Sequence, residues 1–203
     1  MKGHPENPAP RPLENGPLGH YWFLTFQNCI EFHAIVKECQ QSVNPDQFAA
    51  TPIDGLHLTL DRIARPHKIT QESLDLVVDA SRQACRDLMP FTIPITCLNN
   101  IRGAVCFIVN PPTPILELRD TLRKATLSTF PYACIRETNS SPHITIAYPK
   151  YEDMADAAGA IAASANHGVA EIEVSAATLV SLTVRNNMYE WDAVERIPLG
   201  DRS

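Results

Sequence analysis

The chain has 203 residues, a length that fits one domain with a substantial buried core. Its hydrophobic fraction of 44% and charged fraction of 20% are close to globular averages and argue against disorder or a fibrous repeat. The net charge of -6 argues against a broad surface for long or duplex nucleic acid, although a local cleft can be positive on an acidic protein.

Two further features of the composition concern the protein's environment. No apolar run approaches the roughly 18 residues that span a bilayer, and the first residues lack the apolar segment of a secretory signal. We therefore expect a cytoplasmic protein without membrane contact. The six cysteines form no CxxC pair and no zinc-ligand spacing, and most lie in apolar segments, so we expect reduced thiols in the core.

The first elements follow a segment rich in Pro and Gly. Residues 1–19 lack a periodic apolar pattern, which predicts a mobile tail, with one folded domain over residues 20–203. An aromatic run predicts a strand at Tyr21–Phe26, and apolar residues at helical spacing predict a helix over Cys29–Val43. Alternating apolar residues then predict a strand at Leu56–Leu60.

The middle of the chain contains two predicted helices around two predicted strands. Thr70 has the properties of an N-cap, and the helix that follows it should run to about Leu88. Strands are expected at Phe91–Leu98 and Ala104–Val109, joined by a turn-rich link at residues 99–103. After three prolines, a helix is expected from about Ile115 to Ser128.

The last third repeats this order, from a strand at His143–Tyr148 to a helix over Glu152–Ala165 and three strands. These strands are expected at Ala170–Ser175, Thr178–Arg185 and Met188–Val194.

The spacing of these elements suggests an internal duplication. Phe23 precedes His57 by 34 residues, and Phe107 precedes His143 by 36 residues. Two similar halves predict an α+β fold of two lobes related by an approximate twofold axis, each with an antiparallel sheet. Helices should cover the outer faces of the two sheets, which would leave a central cleft between them.

Two tetrapeptides, His57–Leu60 and His143–Ile146, share the pattern His-hydrophobic-Thr-hydrophobic. Side chains alternate across a strand, so the His and Thr of each motif share one face and the two apolar residues take the other. The polar faces can therefore meet in the cleft, while the apolar faces pack against helices.

This pairing suits acid/base chemistry on one phosphate. One neutral imidazole, of His57 or His143, can take a proton from an attacking water while the other, as imidazolium, donates to the departing oxygen. The hydroxyls of Thr59 and Thr145 can donate hydrogen bonds to the non-bridging phosphate oxygens. This scheme needs no metal and no cofactor.

The paired motifs and the duplicated pattern resemble the two-histidine (2H) phosphoesterase superfamily, in particular its LigT-like branch of 2'-5' RNA ligases and 2',3'-cyclic phosphodiesterases. The resemblance extends from about His20 to the C-terminus. It implies a cyclic phosphodiesterase that opens the 2',3'-cyclic phosphate of a nucleotide or RNA end without metal. It also implies catalytic roles for His57 and His143, and phosphate binding by Thr59 and Thr145. The oligomeric state is open, with a monomer as the default for a duplicated two-lobed fold.

Other candidate residues have two interpretations each. Tyr148 could stack on a base at the cleft edge or be an ordinary core or rim tyrosine. Arg62 and Arg102 could reach a phosphate from the cleft rim or be solvated surface charges. The aromatic residues at 21–23 could line a base pocket or pack in the core.

Several alternatives stay open at this point. A zinc site at the two motif histidines would need a third ligand, and the spacing of His33, His67 and His167 nominates none of them. The motif histidines could also be structural, hydrogen-bonded to their threonine neighbours. The function could be a nucleotide-binding module without turnover, or 2'-5' joining of RNA ends.

Overall fold

The computed structural model describes residues 9–135, 141–165 and 168–200. Within these residues the chain is of the α+β class, with ten β-strands and four α-helices. The elements are β1 (Gly16–Thr25), α1 (Ile30–Gln41), β2 (Phe48–Ala50), β3 (His57–Ala64), α2 (Gln71–Cys85), β4 (Phe91–Ile95), β5 (Leu98–Ile101), β6 (Ala104–Ile108), α3 (Thr113–Thr129), β7 (His143–Pro149), α4 (Ala155–Ser164), β8 (Ala170–Val174), β9 (Ala176–Arg185) and β10 (Met188–Pro198). A 3-10 turn, Ile53–Gly55, precedes β3.

The two main sheets are antiparallel and have four strands each. The first has the strand order β10-β9-β1-β3, and the second has the order β2-β7-β6-β5. In each sheet, the strand that carries a His-Thr motif pairs with a strand from the other side of one helix. β3 pairs with β1, with α1 between them in the sequence, and β7 pairs with β6, with α3 between them. Helices α2 and α3 pack on the first sheet, and α1 and α4 pack on the second, which agrees with the predicted bilobal arrangement.

Each sheet combines elements from both halves of the chain. The late strands β9 and β10 complete the sheet of the first motif, while the early strand β2 pairs with β7 of the second motif. The helices are exchanged in the same way, because α1 packs on β7 and α3 packs on β3. The similar halves of the sequence are therefore not two separately folded lobes.

The predicted strand Phe91–Leu98 is two strands in the structure. β4 pairs with β8 in a separate two-stranded sheet, whereas β5 pairs with β6, so the chain changes sheets between Ile95 and Leu98. The predicted turn at residues 99–103 is correspondingly shorter. Only Arg102 and Gly103 form it, and both have positive φ, 51° and 82°.

The prediction of a tail as far as Gly19 is wrong for its last residues, since β1 begins at Gly16 and pairs with β9. Glycine at position 19 is required by packing. Its φ is 110°, and a Cβ there would lie 2.0 Å from the carbonyl oxygen of Ala64 on the neighbouring strand. The glycine that suggested a tail thus permits close strand contact.

The helices and the sheet faces that they cover enclose one continuous hydrophobic core. A smaller cluster of Tyr21, Phe23, Val180 and Leu182 lies on the opposite, cleft-facing side of the first sheet. Thr70 caps α2 as predicted, because its hydroxyl oxygen accepts a hydrogen bond from the Ser73 amide. No helix in the described part of the chain is long and apolar enough to cross a membrane.

Candidate active site

The first motif strand contains a β-bulge three residues after its histidine. In β3, Leu60 has no partner on β1, because the residues on either side of it pair with consecutive residues of that strand. Leu60 and Asp61 are both buried, and Arg62 then lines the cleft together with His57 and Thr59. Strict alternation would have placed Asp61 in the cleft and Arg62 behind it.

The second motif strand has its bulge at the equivalent position. In β7, Ile146 has no partner on β6, and Tyr148 returns to the cleft face beside His143 and Thr145. Each motif therefore presents three side chains to the cleft, from the histidine, from the threonine two residues later and from the residue five positions later.

The cleft has a volume of about 540 Å³ and is bounded by both main sheets. It brings together every site residue that the sequence predicted, namely His57, Thr59, Arg62, His143, Thr145 and Tyr148. The volume is in the range of sites that hold small-molecule ligands.

The two histidines are held by the same kind of backbone hydrogen bond. Nδ1 of His57 lies 2.7 Å from the carbonyl oxygen of Gly55, and Nδ1 of His143 lies 2.8 Å from that of Ser141. A carbonyl oxygen only accepts, so Nδ1 carries the hydrogen in both rings. These bonds anchor each Nδ1 to a main-chain carbonyl and not to a threonine neighbour, and they leave each Nε2 for a ligand.

The surroundings of His57 keep its imidazole neutral. Its ring stacks on Phe23 with centroids 4.1 Å apart and an interplanar angle of 9°. The pKa of His57 is lowered from 6.5 to about 4, mainly by burial; the bond to Gly55 acts in the opposite direction, and the nearby His143 contributes a smaller lowering effect. Trp191 also donates to the Gly55 carbonyl, at 3.3 Å, and so fixes the turn that orients His57.

The two threonines and Tyr148 have different exposure. Thr59 is exposed, whereas only 8% of Thr145 is exposed. Burial raises the pKa of Tyr148 far above its usual range, an effect that a hydrogen bond with Thr145 opposes. The Tyr148 ring lies 5.1 Å from that of Tyr189 on β10, so an aromatic pair bridges the two sheets.

Arg62 is positioned by an aromatic neighbour. Its Nε donates to the Tyr21 hydroxyl, and its guanidinium carbon lies 5.0 Å from the centre of the Tyr21 ring. Of the aromatic run, only Tyr21 lines the cleft. Trp22 is a core residue whose Nε1 donates to Thr126, and Phe23 supports His57 from behind.

Three polar cleft residues were missed by sequence reasoning: Arg11, Asn187 and Tyr189. Arg11 lies in the segment that was predicted to be a tail. Asn187 ends the two-residue turn between β9 and β10, and the Asn-Asn pair there is a recognisable turn signal. Arg102, for which the sequence left two interpretations, does line the cleft.

The remaining histidines do not join the motif pair in the described structure. His20, His33 and His67 do not line the cleft, and His4 and His167 lie outside the described residues. Among the residues that the structure describes, no group of three or more His, Cys, Asp or Glu side chains is arranged to hold a metal ion.

Comparison with known proteins gives the family and the fold. The family model of the 2'-5' RNA ligase superfamily matches residues 30–186, well over half of the chain. No curated protein matches the sequence.

Among solved structures, TT0787 of Thermus thermophilus has a TM-score of 0.68 and 17% sequence identity, over 92% of this chain and all of that one. E. coli LigT complexed with 3'-AMP has a TM-score of 0.65 and 15% identity, over 90% of this chain and 98% of that one. At these identities the structures establish a common fold. The match of the family model over residues 30–186 shows that the chain belongs to the 2'-5' RNA ligase superfamily of two-histidine phosphoesterases.

Proposed function

We propose that this protein is a metal-independent phosphodiesterase that hydrolyses the 2',3'-cyclic phosphate of a nucleotide or an RNA end. The observation that carries the proposal is the pair of histidines, His57 and His143, which reach one cleft from two sheets. Each is anchored through Nδ1 and leaves Nε2 for the substrate. Two such groups can serve the attacking and departing oxygens of a single phosphorus.

The lowered pKa of His57 supports the role of base for this residue. With a pKa lowered to about 4, its Nε2 accepts a proton from water at neutral pH, and the water oxygen forms the new bond to phosphorus. His143 then acts as the acid and donates its Nε2 proton to the ribose oxygen as the P–O bond breaks. The product is a phosphate monoester with a free ribose hydroxyl, and proton exchange with solvent restores both histidines.

Charge that develops on the phosphate is met by donors on the same face of each strand. Thr59 and Thr145 lie two residues after the histidines and offer hydroxyl donors to the non-bridging oxygens. Arg62 adds a cation that Tyr21 holds in the cleft.

A nucleotide substrate is supported by two features. E. coli LigT, which shares the fold, has been crystallised with 3'-AMP, a nucleotide with a ribose phosphate monoester. In this chain, Tyr148 and Tyr189 offer aromatic surface at the cleft, on which a base can stack.

The test is hydrolysis of 2',3'-cyclic AMP, and of a short RNA with a cyclic end, in the presence of a chelator. We expect His57→Ala and His143→Ala each to reduce kcat at least about a hundredfold, the scale of general acid/base catalysis. His67→Asn is the matched control, because it removes an exposed histidine outside the cleft, and Asn tolerates its positive φ of 57°. Unchanged turnover in both alanine variants contradicts the assignment.

The same samples test the two other activities. Saturable binding of 3'-AMP without any product from the cyclic substrates would indicate a binding module. A lengthened RNA that resists nucleases specific for 3'-5' linkages would indicate end joining.

A further inference from the structure

Residues Ala9–Leu13, which we call the N-terminal strap, are fixed to the second sheet by main-chain bonds. The Arg11 amide donates to the Lys150 carbonyl, and the Glu152 amide donates to the Ala9 carbonyl, both at 2.8 Å. Together with the bridge between Pro10 and Tyr151, these bonds form a short antiparallel pairing just after β7.

The other end of the strap contacts the first sheet. The Leu13 amide donates to the side-chain oxygen of Asn187, in the turn between β9 and β10, and the chain then enters β1. The strap therefore connects the two walls of the cleft, and both Arg11 and Leu13 line it.

The strap brings a guanidinium into the cleft. One Nη of Arg11 donates to the main-chain carbonyl of Arg102, at 3.1 Å. A guanidinium has five N–H donors, so this bond orients Arg11 and leaves donors for a ligand. Burial raises the pKa of Tyr189, and the charge of Arg11, which lines the same cleft, acts in the opposite direction.

The charge of the cleft is opposite to that of the protein. Its lining includes Arg11, Arg62 and Arg102, and the described lining residues include neither Asp nor Glu, although the whole chain has a net charge of -6. A 2',3'-cyclic phosphate carries one negative charge, and Arg62 lies on the same strand face as His57. Arg62 can neutralise this charge. Arg11, on the strap, and Arg102, in the turn between β5 and β6, are two further cations at the edge of the cleft.

We propose that the N-terminal strap is part of the substrate site, and that Arg11 selects substrates with a second phosphate besides the one at the histidines. This inference rests on the proposed function for the position of the first phosphate. The second phosphate is either the 5'-phosphate of a mononucleotide or the neighbouring 3'-5' phosphodiester of an RNA end. Arginine suits either group, because its planar donors match two phosphate oxygens at once.

The test is equilibrium binding, which does not depend on turnover. Calorimetry compares 3'-AMP with adenosine 3',5'-bisphosphate on the wild type, Arg11→Ala, Arg11→Lys and Arg86→Ala. The last is a matched control that removes an exposed arginine outside the cleft. Arg11→Ala removes one exposed side-chain bond, to the Arg102 carbonyl, and keeps the main-chain bonds of the strap, so we expect it to fold with little change in Tm.

The expected result is specific to the second phosphate. Arg11→Ala should weaken binding of the bisphosphate about tenfold and of 3'-AMP less than about twofold, while Arg11→Lys keeps part of the difference and Arg86→Ala changes neither. Equal weakening of 3'-AMP and of the bisphosphate overturns the proposal. Failure of the proposed function is a separate outcome, seen as no turnover of 2',3'-cyclic AMP by the wild type.

A third ligand identifies the source of the second phosphate. The dinucleotide ApAp, with a 3'-phosphate, carries an internal phosphodiester in place of the 5'-phosphate. A larger effect of Arg11→Ala on ApAp than on the bisphosphate assigns Arg11 to an RNA end, and the reverse assigns it to a mononucleotide. An effect on neither ligand overturns the proposal.

Discussion

The two motif histidines have the same backbone anchor and different neighbours. His57 stacks on buried Phe23, and Trp191 fixes the carbonyl that orients it, whereas Ser141, which anchors His143, is exposed. In the proposed mechanism, this difference gives the role of base to His57 and the role of acid to His143, although both have the same local sequence pattern. The sequence predicted the pair and its shared cleft, but not this division, because it arises from Phe23 and Trp191, far from the motif along the chain.

The division of roles predicts a pH dependence. Base catalysis needs neutral His57, so kcat/KM should be lost only as pH falls through about 4, since burial lowers the pKa of His57 to that value. Phe23→Leu should admit water to the ring, raise this pKa towards 6.5 and move the acid limb to higher pH. The measurement is kcat/KM for 2',3'-cyclic AMP between about pH 3 and 8. An acid limb near the ordinary histidine pKa of about 6.5 in the wild type would contradict the role of His57.

At the scale of elements, the bulges in β3 and β7 decide which residues reach the cleft. Alternation alone correctly places the His and Thr of each motif, but it places residue 62 on the wrong face. Nothing in the composition of Leu58–Ile63 indicates the bulge, which depends on pairing with β1. The split between β4 and β5 was missed for a similar reason, because their partners β8 and β6 are distant in sequence.

The bulge in β3 also turns Asp61 towards α3. Its carboxylate accepts two hydrogen bonds from Arg123, each 3.0 Å, and the two side chains are only 6% and 13% exposed. Asp61→Ala should lower the free energy of unfolding by about 3–5 kcal/mol, because it leaves the guanidinium buried without this partner. Urea denaturation measures this change.

The control for that variant is Asp79→Ala, which breaks an exposed ion pair with Arg82. We expect it to lower the free energy of unfolding by less than about 1 kcal/mol, because surface ion pairs are screened by solvent. If Asp61→Ala lowered the free energy of unfolding as little as the control does, the ion pair between Asp61 and Arg123 would not hold β3 to α3.

At the scale of the whole molecule, the duplication is visible in the sequence, but the exchange of elements between the halves is not. Spacing predicts two strand-helix-strand units, and the structure has them as β1-α1-β3 and β6-α3-β7. Tertiary packing determines which sheet each helix covers. It also adds β9 and β10 to the first sheet. The strap escaped prediction because it contains neither helical nor strand periodicity, and main-chain bonds to distant residues hold it.

The central claim is that His57 and His143 act together on one phosphate. When two groups act as a unit, the effects of removing them on kcat are not additive. Removing either histidine should therefore lower kcat nearly as much as removing both. The most direct measurement is kcat for 2',3'-cyclic AMP, with chelator present, for the wild type, His57→Ala, His143→Ala and the double variant. We predict that the three variants have nearly equal residual rates. Losses that multiply in the double variant, or full activity in either single variant, would contradict the claim.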